Sequence, residues 1–150
     1  MEENKILVIK EFGPSVAKAT MPKALVEKLN IYVDNILKDE KKISSLDNGN
    51  NLVGDVTQEF RLEQNFMKES GWGDFLASSV QQWIHKETGK NISKFQILDS
   101  WVVRQFKNEF NPTHWHTGHI SGVGYLKVPE NLGSQTQKKS ATYYEIKSDY

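Results

Sequence analysis

The most informative stretch of the sequence is residues 111–129, which read NPTHWHTGHISGVGYLKVP. Three of the four histidines of the chain lie in it, as His114, His116 and His119. Because alternate side chains of an extended segment project to the same face, His114 and His116 are predicted to present two imidazoles to one metal ion. His119 is a further candidate ligand, beyond Gly118. Imidazole is a ligand of zinc, iron, copper and nickel. The alternative is a solvent-facing pair of histidines on an edge strand.

The segments on either side of the histidines are predicted to be strands. Residues 95–106 are rich in β-branched and aromatic side chains on both alternating faces, which is typical of an interior strand. Residues 120–128 form a second extended segment, and its glycines indicate close approach of another backbone or a ligand. Residues 6–9 are a short apolar run that also predicts a strand. Residues 141–150 are a further strand candidate.

Two amphipathic helices are predicted in the first part of the chain. The first begins near Pro22, because proline is favoured in the first turn of a helix, and ends between residues 37 and 42. The second covers residues 71–87, and Gly89 is its expected C-terminal stop. Helices followed by strands predict an α+β domain or helices packed on a β-sandwich.

The composition is that of one ordinary domain. The 150 residues include 19 basic and 19 acidic side chains, and 37% of the chain is apolar. We expect a single domain over residues 1–150, with a helical part over about 1–90 and a β-rich part carrying the histidines over about 91–150. The sequence has no cysteine, which excludes disulfides, thiolate zinc sites and cysteine nucleophiles.

Charge and hydropathy exclude several kinds of partner. A net charge of zero argues against a dedicated nucleic-acid-binding domain, which normally carries a basic excess. No apolar run approaches the roughly 18–20 residues that span a membrane. The N-terminus lacks the basic-then-apolar order of a signal peptide. We therefore expect a cytoplasmic protein.

The region around the histidines resembles the 2-oxoglutarate/iron(II)-dependent oxygenases found in bacterial and marine phage genomes, distant relatives of the prolyl 4-hydroxylases. Those proteins have a tryptophan-bearing strand, then a histidine-x-histidine pair, then a serine-glycine-x-x-tyrosine-leucine strand that ends near a proline. The matching residues here are Trp101, His114, His116, Ser121, Gly122, Tyr125, Leu126 and Pro129. The resemblance extends over roughly residues 5–133.

The resemblance implies a double-stranded β-helix, or jelly-roll, core with N-terminal helices packed on one sheet. It implies Fe(II) held by two histidines and usually one carboxylate, with 2-oxoglutarate as co-substrate. The implied reaction is hydroxylation of a small molecule or peptide. On this basis His114 and His116 are the metal ligands, Ser121 and Tyr125 contact the co-substrate carboxylate, and Arg104 is the candidate clamp for it.

The sequence departs from the family pattern in two ways. If His114 is the first ligand, His116 stands where an aspartate is usual; if His116 is the first, Gly118 stands there. No histidine follows His119 and no arginine follows Arg104. The distal histidine, the basic clamp and several strands of the barrel are therefore expected to be missing, through a shortened reading frame or a reduced fold. An unfinished sheet exposes an edge, which predicts a homo-oligomer in which a second copy completes the barrel.

Two other functions remain open from the sequence. One is a non-catalytic metal- or ligand-binding β-domain. The other is a zinc metallohydrolase, because His-x-His-x-x-His superficially matches the motif of the metallo-β-lactamase-like enzymes. That motif has an aspartate at the position of Gly118 and needs later histidines.

Overall fold

The computed structural model describes residues 6–130. Four helices and four short strands occur in this range, which makes the fold mixed α+β. In chain order the elements are β1 (Ile6–Ile9), β2 (Val16–Ala19), α1 (Lys23–Ile36), α2 (Glu40–Leu46), β3 (Gln58–Arg61), α3 (Gln64–Ser70), α4 (Trp72–Thr88) and β4 (Trp101–Arg104).

Helix α1 supplies the centre of the hydrophobic core. Its buried side chains follow the helical period and are Leu25, Leu29, Val33 and Ile36. The first two cluster with Leu62, which follows β3, and each fully buried leucine stabilises the fold by about 1.5–3 kcal/mol. The predicted helix is confirmed. It ends at Ile36 and a new helix, α2, begins after Asp39, whose carboxylate accepts hydrogen bonds from the backbone N–H groups of Lys41 and Lys42.

Helix α4 confirms the second predicted helix. It is bounded by two left-handed glycines, Gly71 with φ 86° and Gly89 with φ 70°, a conformation that costs glycine little. Gly71 also ends the short helix α3, which the sequence analysis did not predict. Helix α4 thus ends at Gly89, as predicted.

The strands form two separate antiparallel pairs. Strand β1 pairs with β2, and β3 pairs with β4, with Gln58 opposite Arg104 and Arg61 opposite Trp101. The β1–β2 hairpin lies on α4, where Trp83 Nε1 donates a hydrogen bond of 2.8 Å to Ser15 Oγ. The strand predicted at residues 6–9 is confirmed.

The other predicted strands need correction. Only Trp101–Arg104 of residues 95–106 is a strand, and residues 120–128 contain none. A strand needs a hydrogen-bonding partner, and the described part of the chain offers none to residues 120–128. This segment instead lies near α4 and α1, where a Cβ on Gly124 would be 3.7 Å from Trp72 Cη2 and Lys127 Nζ is 3.7 Å from Asp34 Oδ2.

Residues 6–130 show no jelly-roll, because their strands are confined to two two-stranded sheets. The strand candidate at residues 141–150 lies outside the described residues. No helix between residues 6 and 130 is both long enough and apolar enough to cross a membrane.

Candidate metal site

The segment after β4 brings His114 and His116 together. Their Nε2 atoms are 3.0 Å apart, and their rings are nearly perpendicular, at 84° with centroids 4.6 Å apart. Both residues are exposed. The expected same-face arrangement of these two histidines is therefore present, although the segment that carries them has no regular secondary structure.

The backbone fixes the ring of His114. Its Nδ1 lies 2.7 Å from the carbonyl oxygen of Pro112. A carbonyl oxygen only accepts hydrogen bonds, so Nδ1 carries the proton and donates it. A neutral His114 then has its lone pair on Nε2, directed toward His116. Metal-binding histidines are commonly oriented by such a bond from the second ring nitrogen to a carbonyl oxygen.

The separation of the two nitrogens suits a metal chelate. Two nitrogen ligands each about 2.1 Å from a metal lie about 3.0 Å apart at a right angle and about 3.4 Å apart at the tetrahedral angle. The observed 3.0 Å matches two adjacent positions of an octahedron. The same distance also fits a hydrogen bond, which requires a proton on His116 Nε2. Chelation requires that proton on His116 Nδ1 instead.

Strand β4 and the segment before it support the histidine segment. The ring of Trp101 lies against that of His116, with centroids 5.6 Å apart. Two residues further on, Gly118 has φ +101°, and a Cβ there would lie 3.2 Å from Leu98 Cδ1. That backbone conformation is favourable only for glycine. The segment is thus held next to the sheet through His116 and Gly118.

A third ligand is not found beside the pair. Within residues 6–130, no group of three or more His, Cys, Asp or Glu side chains is arranged to hold a metal ion. His119 therefore does not form a three-ligand cluster with His114 and His116. The described residues bring together two of the candidate ligands, His114 and His116.

Arg104, the expected clamp for 2-oxoglutarate, contacts other residues. The Arg104 guanidinium donates a hydrogen bond to Gln58 Oε1 and lies over the ring of Phe106, 5.3 Å from its centroid. Alternate residues of a strand point to opposite faces, so Arg104 and Trp101 project from opposite faces of β4. Ser121 and Tyr125 are exposed, and their contact with a co-substrate stays a prediction.

Strand β3 carries a buried carboxylate that no sequence pattern indicated. Glu59, on β3, is only 2% exposed, and so is its neighbour Asn48 at 1%. Burial raises the pKa of Glu59, and the nearby carboxylates of Asp47 and Glu109 raise it further. The local signal was weak, because a single glutamate in a four-residue strand is normally exposed.

Comparisons with known proteins identify no relative. A scan against protein-family models, a search of curated proteins and a search of solved structures each give no match. The geometry of the histidine pair and the resemblance of its sequence context are therefore the observations that bear on function.

Proposed function

We propose that this protein binds a divalent transition-metal ion through the Nε2 atoms of His114 and His116, as a relative of the iron(II)/2-oxoglutarate-dependent oxygenases in which His116 takes the place of the usual aspartate. The observation that carries the proposal is the 3.0 Å separation of these atoms. It is supported by the bond from His114 Nδ1 to Pro112, which leaves His114 Nε2 free to bind a metal.

The residues present fit the metal better than they fit the co-substrate. His114 and His116 suit two adjacent positions of Fe(II), which in such enzymes activates oxygen together with 2-oxoglutarate. With His116 at the position usual for the aspartate, the ligand that the described residues do not supply is the distal histidine of the family. To clamp 2-oxoglutarate, Arg104 has to leave Gln58 and turn to the opposite face of β4.

The fold proposal follows from the order of the elements. The strand with Trp101 directly precedes the histidine pair, as in the family that the sequence resembles. We propose that β3 and β4 are two strands of a jelly-roll core that residues 6–130 do not complete. We also propose a small-molecule or peptide substrate, no nucleic-acid partner and a cytoplasmic location. The balanced charge of the chain supports the absence of a nucleic-acid partner.

A second candidate is a metal-binding β-domain without catalytic activity. It is favoured by the position of Arg104, whose guanidinium is held by Gln58 and Phe106. This candidate shares the histidine pair with the oxygenase. It differs in predicting that 2-oxoglutarate has no effect on metal binding.

Anaerobic calorimetric titration with Mn(II), a redox-stable substitute for Fe(II), tests the proposal with and without 2-oxoglutarate. We expect micromolar binding that is lost in the double variant His114→Ala/His116→Ala. The matched control is His85→Ala, which removes an exposed histidine from the last turn of α4. Tighter binding with 2-oxoglutarate supports the oxygenase, and unchanged binding supports the non-catalytic domain. Equal affinity of the wild type and the double variant overturns both.

A further inference from the structure

We propose that a second copy of this chain completes the metal site, so that one ion is held between the His114–His116 pairs of two copies. This inference rests on the proposed metal binding and adds the source of the remaining ligands. It requires that the pair is accessible, that its own surroundings leave the coordination incomplete, and that two copies can approach each other.

Within residues 6–130, the donor set of one copy is incomplete. The two Nε2 atoms converge at 3.0 Å, but no third His, Cys, Asp or Glu joins them to form a cluster in the described part of the chain. Two imidazoles fill two positions, whereas transition metals in proteins take four to six ligands. A second identical pair raises the number of imidazoles to four.

The pair is open to another molecule. His114 and His116 are both exposed, and so is every residue from Asn111 to Tyr125. Neutral imidazoles carry no charge that would oppose the approach of a second pair. The whole chain has a formal charge of zero, so two copies do not repel each other through net charge.

Apolar side chains lie next to the pair on the sheet side. Leu98, near Gly118, is 64% exposed, and Val103, two residues after Trp101 on the same face of β4, is 36% exposed. A symmetric contact buries the same patch on both copies. So few side chains provide much less than the roughly 1,200 Å² that a stable interface usually buries. The dimer is therefore expected to depend on the metal.

The geometry of the pair also limits the arrangement of ligands. Each pair spans adjacent positions, because its nitrogens are 3.0 Å apart. Two such pairs related by a two-fold axis fill four positions of an octahedron and leave two, which suffice for water or another small ligand but not for 2-oxoglutarate and oxygen together. The two-copy site therefore fits the metal-binding domain without catalytic activity rather than the oxygenase. Nickel(II) accepts such a nitrogen-rich set, and affinities rise from manganese to nickel. Nickel(II) alone is therefore the probe of choice.

Sedimentation velocity with and without Ni(II), combined with calorimetric stoichiometry on the same chain, tests the inference. We expect one nickel ion per two chains, a doubling of the mass, and return to the monomer on addition of EDTA. The double variant His114→Ala/His116→Ala is expected to stay monomeric with nickel, and His85→Ala to dimerise like the wild type. Leu98→Ser is expected to weaken the dimer while each chain still binds nickel.

Three other outcomes would contradict the two-copy metal site, and they can be told apart. One nickel ion per monomeric chain overturns the two-copy site and leaves the proposed metal binding intact. A dimer that persists in EDTA and in the double variant shows that copies associate through another surface. Absence of nickel binding by the folded wild type removes the proposed function as well.

Discussion

The indole of Trp101, at the start of β4, lies against the imidazole of His116, with ring centroids 5.6 Å apart and planes inclined by 45°. Strand β4 is held by its pairing with β3, whereas the histidine segment has no regular secondary structure. The orientation of His116 is therefore set by packing against a strand, while that of His114 is set by a hydrogen bond to Pro112.

Replacement of Trp101 is expected to weaken metal binding without unfolding the protein. We expect Trp101→Ala to lower the affinity for Mn(II) or Ni(II) about tenfold, since outer partners of metal ligands contribute roughly 10–100-fold to affinity. Trp101→Phe retains an aromatic ring and is expected to recover most of the affinity. Calorimetric titration measures the affinity, and circular dichroism checks the fold. Unchanged affinity in Trp101→Ala would mean that the ring contact does not orient His116.

The buried carboxyl of Glu59 is expected to make stability depend on pH. Because burial and then Asp47 and Glu109 raise its pKa, the folded state binds this proton more tightly than the unfolded state does. The contribution of this proton to the free energy of unfolding is present at low pH and is lost as the pH rises through the raised pKa of Glu59. Glu59→Gln removes the ionisation, so its melting temperature is expected to exceed that of the wild type at pH 8.

The difference in melting temperature between Glu59→Gln and the wild type is expected to shrink toward pH 4, where the wild-type carboxyl is protonated. Thermal unfolding of both proteins between pH 4 and 8 measures the difference. The matched control is Glu11→Gln, at an exposed position outside this cluster. A difference for Glu59→Gln that stays constant with pH would assign the effect to packing rather than to ionisation.

Tyr32 is expected to stabilise the contact between α1 and the start of α3. Its hydroxyl donates a hydrogen bond of 2.7 Å to Glu63 Oε2, and burial together with this bond raises its pKa from 10.0 to about 12. We expect Tyr32→Phe to lower the free energy of unfolding by about 1 kcal/mol at pH 7. Chemical denaturation measures it, with the exposed Tyr125→Phe as the control.

The sign of the pH effect at Tyr32 follows from its raised pKa. Its contribution is fully present below pH 10, the ordinary value, and is lost as the pH rises through about 12. The stability difference between wild type and Tyr32→Phe is therefore expected to narrow in this range. A difference that grows with alkalinity would contradict the hydrogen bond to Glu63.

The parts of the fold that the sequence predicted are those with a local cause. Helix α1 follows from apolar residues at helical spacing after Pro22, and α4 ends at Gly89 because that residue adopts a left-handed conformation. The pairing of His114 with His116 follows from the alternation of side chains along an extended segment. The short helix α2 has no buried residue and was missed, although Asp39 is a recognisable cap.

The parts that failed depend on distant partners. Residues 120–128 have the β-branched composition of a strand, but propensity does not supply a neighbouring strand. The burial of Glu59 depends on the bridge between Asp47 and Phe60, which no local pattern indicates. The contact of Trp101 with His116 is likewise not indicated by any local pattern, because the two residues are not neighbours in the sequence.

The most direct test of the histidine metal site is to follow the ring nitrogens of the four histidines by ¹⁵N NMR during titration with Zn²⁺, which is diamagnetic. We expect the Nε2 resonances of His114 and His116 to shift together on metal binding, His114 Nδ1 to stay protonated, and His85 and His119 not to respond. Metal-dependent shifts at His85 or His119 without the pair, or no shift at any histidine in the folded protein, would contradict the proposed site.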